Sequence, residues 1–202
     1  MATPLHNQTD SRGRKQGPWE ELNSRGELEK GHYQDGIRRG VWKGYSKGDY
    51  HYKPGEFFSE IFYENGKMYL YKKYWSGGRL LEEAHYKNGK LHGPYKKLLP
   101  GGSPWTEGQY KNDKRHGHWK FYHEAWRSLE REGTYLKGEQ EGLWKRYWST
   151  GSLLGTGHYK NDMKYGLWKY YEKDGTLDGY NFYIEDEETP SSLLLLLWLN
   201  LL

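Results

Sequence analysis

Aromatic and aliphatic positions alternate with charged ones in short runs, and Gly, Asn and Asp break the runs at regular intervals. The clearest stretch is Leu143 to Trp148, rich in residues that favour strands. Ser149-Thr150-Gly151 then reads as a turn, Leu153 to Lys160 as a second strand, and Asn161-Asp162-Met163-Lys164 as the turn into the next unit. Asn and Asp tolerate the left-handed backbone such turns need, and Gly adopts it at least cost. Asn65-Gly66 and Asn88-Gly89 are further tight-turn signals.

The hairpin recurs. Glu83 to Gly93, Glu107 to Gly117 and Thr156 to Gly166 are one motif written three times, with degenerate copies at Gly31 to Gly40 and Gly133 to Gly142. The closing residue of each copy falls at Gly17, Gly40, Leu70, Gly93, Gly117, Gly142 and Gly166. One interval is long because residues 46–55 read as an insertion, and Leu70 makes that copy the poorest match. A kink or bulge is expected near residues 46–70. Two positions past the closing residue stands an aromatic: Trp19, Trp42, Tyr95, Trp119, Trp144 or Trp168, with Lys72 the exception. Three further on come Leu22, Tyr45, Tyr74 or Trp75, Leu98, Tyr122, Tyr147 and Tyr171. Residues i and i+2 of a strand share a face, so Gly108 lies beside Tyr110 and Gly157 beside Tyr159. A Gly there lets a ring from the next strand lie flat on the backbone.

Tyr-Lys-Asn-Gly-Lys-Leu-His-Gly at residues 86–93, followed by an aromatic, resembles the variant MORN repeat (membrane occupation and recognition nexus), typical of bacterial proteins grouped as YwqK-family antitoxins. The resemblance spans roughly residues 17–183. It implies an all-β fold of tandem β-hairpin repeats forming one elongated, curved antiparallel sheet. It also implies a role as an interaction or membrane-associated module, antitoxin-like in that group. About seven units are expected over 17–183, after a disordered segment at 1–16. An acidic linker at 184–192 and a hydrophobic tail at 193–202 follow.

Composition sharpens this reading. Hydrophobic residues make up only 34% of the 202, but 20 Tyr and 10 Trp argue against disorder, since disordered chains are poor in aromatics. The core is therefore a thin one of rings against glycines and strands. The charge of +4 is spread along the chain without the concentrated stripe of a nucleic-acid binder, and no nucleic-acid partner is expected. Lys after Trp, as at Lys120, Lys145 and Lys169, alternates to the other face. The absence of Cys excludes disulfides and thiol catalysis.

No catalytic constellation stands out. There is no Gly-x-Ser-x-Gly, and Gly77-Gly78 and Gly101-Gly102 sit in hairpin turns. His116 and His118 share a strand face as a metal pair would, but His116 fills the repeat slot also held by His92. His32, His85 and His158 recur at one position, which marks them as structural, and Glu82 and Glu83 point to opposite faces. Catalysis needs unlike groups converging, whereas an array repeats the same group. The expectation is a non-catalytic scaffold without a cofactor, binding a protein partner. Trp42, Trp119, Trp144 and Trp168 would line one face and Tyr45, Tyr122, Tyr147 and Tyr171 the other, since a large open aromatic patch marks a binding surface. Two alternatives remain. One is a choline- or carbohydrate-binding array, suggested by Trp168-Lys169-Tyr170-Tyr171. The other is peripheral membrane attachment of a cytoplasmic protein through Leu193 to Leu202, too short to span a bilayer as a helix. Met1 to Gln16 is polar and reads as no signal peptide, and Glu185-Asp186-Glu187-Glu188 reads as a protective end to the last strand.

Overall fold

The structure, a computed structural model, describes residues 6–184 and 186–188. Its strands are β1 (Gln8–Thr9), β2 (Lys15–Leu22), β3 (Leu28–Gln34), β4 (Ile37–Tyr45), β5 (Phe57–Glu64), β6 (Lys67–Tyr74), β7 (Leu80–Lys87), β8 (Lys90–Leu98), β9 (Pro104–Lys111), β10 (Lys114–Tyr122), β11 (Leu129–Leu136), β12 (Glu139–Tyr147), β13 (Leu153–Lys160), β14 (Met163–Tyr171), β15 (Leu177–Ile184) and β16 (Glu187–Glu188). They follow one another across an open antiparallel sheet in chain order, with no crossover. That order is what short hairpin turns dictate, because each strand can pair with its predecessor before the chain has moved on. The chain divides into two compact units, residues 1–104 with 110–113 and residues 105–109 with 114–202.

In the first unit, residues 6–16 depart from the expected disorder. Gln8 and Thr9 pair with Gln16 and Lys15. Asn7 grips the Glu20 backbone through both its side-chain amide and its side-chain carbonyl. The Asp10 carboxylate accepts from the Arg12 and Arg14 amides and from the Arg14 guanidinium, which holds it well below its ordinary pKa, at about 2. A polar segment can order itself when its side chains satisfy the adjacent backbone. The insertion forms the link between β4 and β5, closed by hydrogen bonds from Gly55 to Ser46 and from Asp49 to Tyr52. It is anchored by Tyr52, which is buried against Phe58 and donates to the Tyr74 carbonyl. Register shifts occur at Gly44/Tyr45 and Phe62/Tyr63, but shifts of this kind also recur between other strand pairs. They therefore belong to the repeat and are not peculiar to the insertion.

In the second unit, β10 to β15 are successive repeats. The closing glycine acts at a bulge. Glu132 pairs with Lys145 and Thr134 with Glu141, so Gly142, Leu143 and Trp144 together oppose Gly133. Gly142 takes φ 72°, a left-handed value other residues adopt only with strain, and the extra length carries the Trp144 ring onto Gly133.

The turn between β13 and β14 does more than reverse the chain. Asn161 and Asp162 both have positive φ (51° and 68°), the pattern of a type I′ turn. Asp162 then reaches back one repeat: its amide donates to the Gln140 carbonyl at 3.1 Å, and its carboxylate accepts from the Gln140 amide at 2.6 Å. Asp186 does the same to Lys164, and in the first unit Asp113 does so to Leu91. Where Gly stands at this position, as at Gly138, only the backbone bond to Arg115 remains. Glu187 and Glu188, expected in a linker, pair with Ile184 and Tyr183 as a last short rung.

Candidate functional site

The two faces of the sheet carry different side chains. On one face Trp42, Trp119, Trp144 and Trp168 lie over Gly31, Gly108, Gly133 and Gly157, so closely that a Cβ at any of these glycines would overlap the indole. All four indoles are fully buried. Three donate Nε1–H to a backbone carbonyl, Trp119 to Gln109, Trp144 to Thr134 and Trp168 to His158. Tyrosines close the sides: Tyr33 stands edge-on to Trp42, Tyr135 to Trp144 and Tyr159 to Trp168. This corrects the expectation of an open Trp face. The glycine gap that admits each ring also covers it, so the tryptophans hold the repeats together and present no surface.

Cations lie above the tryptophan rings. Lys15, Arg38, Arg115 and Lys164 stand four residues before Trp19, Trp42, Trp119 and Trp168, at 4.0–5.0 Å from the ring centroids. Lys164 also approaches Tyr170 and Tyr183, which share a hydrogen bond of 3.1 Å. The aromatic cluster that the choline reading needs is thus held by the protein's own ammonium group.

In the first unit these cations are matched by carboxylates. Glu21 accepts from Lys15, Arg38 and Tyr33; burial pushes its pKa up, but the three hydrogen bonds outweigh this and hold it at about 2. Arg38 also meets Glu29 at 2.7 Å. Beyond this network Tyr71 takes the place of a Trp, and beside it lies a cleft of about 380 Å³ whose lining includes Glu29, Ser59, Met68 and Tyr71. Burial first, then Glu82, raises the Tyr71 pKa well above its ordinary value.

The opposite face carries the second predicted series, all four members half-buried. Tyr122 donates to Glu107 and Tyr147 to Glu132, each at 2.7 Å, and Tyr74 repeats the pairing with Glu60. Burial and then the carboxylate raise these phenols, Tyr147 to about 12. Tyr45 packs on Phe57, and the Tyr171 carbonyl receives the Trp148 indole. His118, one of the two histidines considered as a metal pair, faces Glu132 at 3.1 Å.

The same face of the second unit exposes apolar side chains that the repeat pattern did not single out. Leu143, Tyr165, Leu167 and Ile184 are each 45–50% exposed. Leu143 and Tyr165 both pair with His158, and Leu167 with Phe182, so the residues are neighbours across β12 to β15. They sit at positions that vary between copies, which is why a search for repetition passes over them. Residues 193–202, assigned to membrane contact from sequence, lie outside the described residues. No helix among the described residues is long and apolar enough to cross a membrane.

A family model for a MORN repeat variant matches residues 70–88 and 140–161. The first match covers the copy that lacks its closing glycine, so the loss of that Gly leaves the repeat recognisable. No curated protein matches the chain. The narrower likeness to the antitoxin group gains no support from these matches. The two matched segments, with the ring-on-glycine hairpins that recur along the chain, support a MORN-like repeat architecture.

Proposed function

We propose that this protein is a non-catalytic scaffold that captures a protein partner on the sheet face opposite the buried tryptophans. The observation carrying this reading is the cluster of Leu143, Tyr165, Leu167 and Ile184, left half-exposed on adjacent strands of the second unit. Exposed apolar side chains gathered in one place mark interaction surfaces, whereas single scattered ones do not. A rigid sheet also suits such a role, because ordering costs on binding are small when the surface is preformed. Neutralising a toxin would be one case of this capture.

The test is affinity capture from native cells with the full chain, Leu143→Glu/Leu167→Glu, and a form ending at Pro190, each checked for folding by circular dichroism. The expected result is a protein captured by the full chain and by the shortened form but lost from the double variant. Capture unaffected by the two substitutions refutes the assignment of this face. Membrane lipid recovered only with the full chain would instead make residues 193–202 the binding element.

A further inference from the structure

On the Trp-bearing face of the second unit, four cationic side chains project from β10, β11, β12 and β14. Register places Arg131 directly opposite Arg146 on β11 and β12, with Arg115 on β10 and Lys164 on β14. Glu132 and Glu141 fall on the other face, and Asp162 and Asp186 are engaged at turns. Like charges placed directly opposite one another on a sheet destabilise it. Neither Arg131 nor Arg146 has an ion-pair partner among the described residues, and Arg131 Nε is shut away from solvent without an acceptor.

The repeat itself shows that folding does not need these charges. Arg146 stands two residues past Trp144, a slot filled by Glu21, Gly44, Lys97, Phe121 and Tyr170 in other copies. Arg131 stands two residues before Gly133, a slot filled by Glu29, Thr106 and Gly155. The first copy carries carboxylates in both slots, Glu21 and Glu29, and they neutralise Lys15 and Arg38; Arg131 and Arg146 invert the sign in both.

We propose that this face of the second unit binds an acidic, extended polypeptide segment, whose carboxylates seat on Arg131, Arg146 and Lys164. This goes beyond the scaffold reading above, uses the opposite face, and can fail independently of it. Strand spacing sets Arg131 and Arg146 about 4.8 Å apart, whereas Lys164 pairs with Tyr159, four residues along β13 from Gly155, and its ammonium reaches the Tyr170 hydroxyl at 3.3 Å, on the strand across Gly155 from Arg146. Side chains on one side of an extended peptide recur about every 6.6–7 Å, close enough for flexible Asp and Glu stems to reach successive cations. Arg131 is half-buried against the Phe121 ring at 4.4 Å. An anion on a slender side chain can enter there, and a flat layer of lipid headgroups cannot follow it.

The experiment is fluorescence anisotropy of a short labelled peptide of alternating Glu and Ser, titrated with the full chain. Arg146→Glu removes an exposed cation and is expected to weaken binding about tenfold or more, with Arg131→Gln acting in the same direction. Lys145→Glu makes the same charge change one residue away on the opposite face and should leave affinity within about twofold. Equal weakening by Arg146→Glu and Lys145→Glu would reduce the effect to net charge and overturn the proposal. So would equal binding of a Gln and Ser peptide, or no binding of either peptide. Binding of phosphatidylserine vesicles, but not of the peptide, that Arg146→Glu abolishes would reassign the face to a membrane and likewise overturn it.

Discussion

Gly133 is the most direct test of what holds the repeats together. Its backbone lies outside the left-handed region, so Ala brings no conformational strain, and by reducing the freedom of the unfolded chain Ala should stabilise by about 0.4–1 kcal/mol. Packing decides the other way. The new Cβ would overlap the fused carbons of the Trp144 indole, although carbon atoms rest about 3.5–4.0 Å apart. The indole is fully buried and tied by its Nε1–H to the Thr134 carbonyl at 3.2 Å, so it cannot slide aside freely. Overpacking of this kind costs about 1–3 kcal/mol, and outright expulsion of the ring would approach the roughly 3–5 kcal/mol of a Trp→Ala change. A net loss of about 2 kcal/mol corresponds to a fall in Tm of about 4–8 °C for a chain of this length. The assay is thermal unfolding followed by far-UV circular dichroism, with Gly179→Ala as the matched control. Gly179 also lies on this face with an ordinary φ, but a Cβ there meets nothing within 4 Å. It should leave Tm unchanged or slightly raised. Equal Tm values for the two variants would refute the ring-on-glycine argument. As a further check, Gly133→Ala should cost much less once Trp144 is already Val.

Other expectations follow from single contacts. Asp162→Gly keeps the left-handed turn but removes the acceptor of the Gln140 amide, and should cost about 1 kcal/mol in urea unfolding; Asp162→Ala adds a further 1–2 kcal/mol or so of backbone strain. Tyr147 is raised to about 12 by burial and by its bond to Glu132. A raised phenol favours folding below its unfolded pKa of about 10, and that contribution is lost as pH climbs from there towards 12, so Tm should fall over that window. Glu132→Gln should bring the Tyr147 phenolate transition, read by near-UV absorbance, part of the way back, because burial remains; an unmoved transition would exclude Glu132 as a cause. Glu132 itself is held below its ordinary value because hydrogen bonds from Tyr147 and His118 outweigh burial, so its contribution is present at neutral pH and lost on acidification through the usual carboxylate range.

Much of the architecture was legible in the chain. Recurring Gly, Asn and Asp set the turns, and strand alternation put Trp and Tyr on opposite faces, because these are local consequences of backbone sterics and a period of two. That Gly157 and Gly108 receive a ring could also be read, since glycine is the one residue thin enough for the purpose. Which surfaces remain for a partner depended on packing. The same glycines that let Trp144 and Trp168 descend onto the strand also bury them, and no sequence pattern distinguishes a ring lying on a sheet from one inserted into it. Arg131 and Arg146 stand fifteen residues apart, and only the register shift created by the Gly142 bulge sets them opposite each other. Residues 6–16 ordered because Asn7 and Asp10 found backbone partners across a turn that composition could not foretell. The sequence by itself determined the repeat, its strands and its turns, which are properties of neighbouring residues. The tertiary structure decided burial and the charge of each face, which depend on side chains a whole repeat apart meeting across hydrogen-bonded strands.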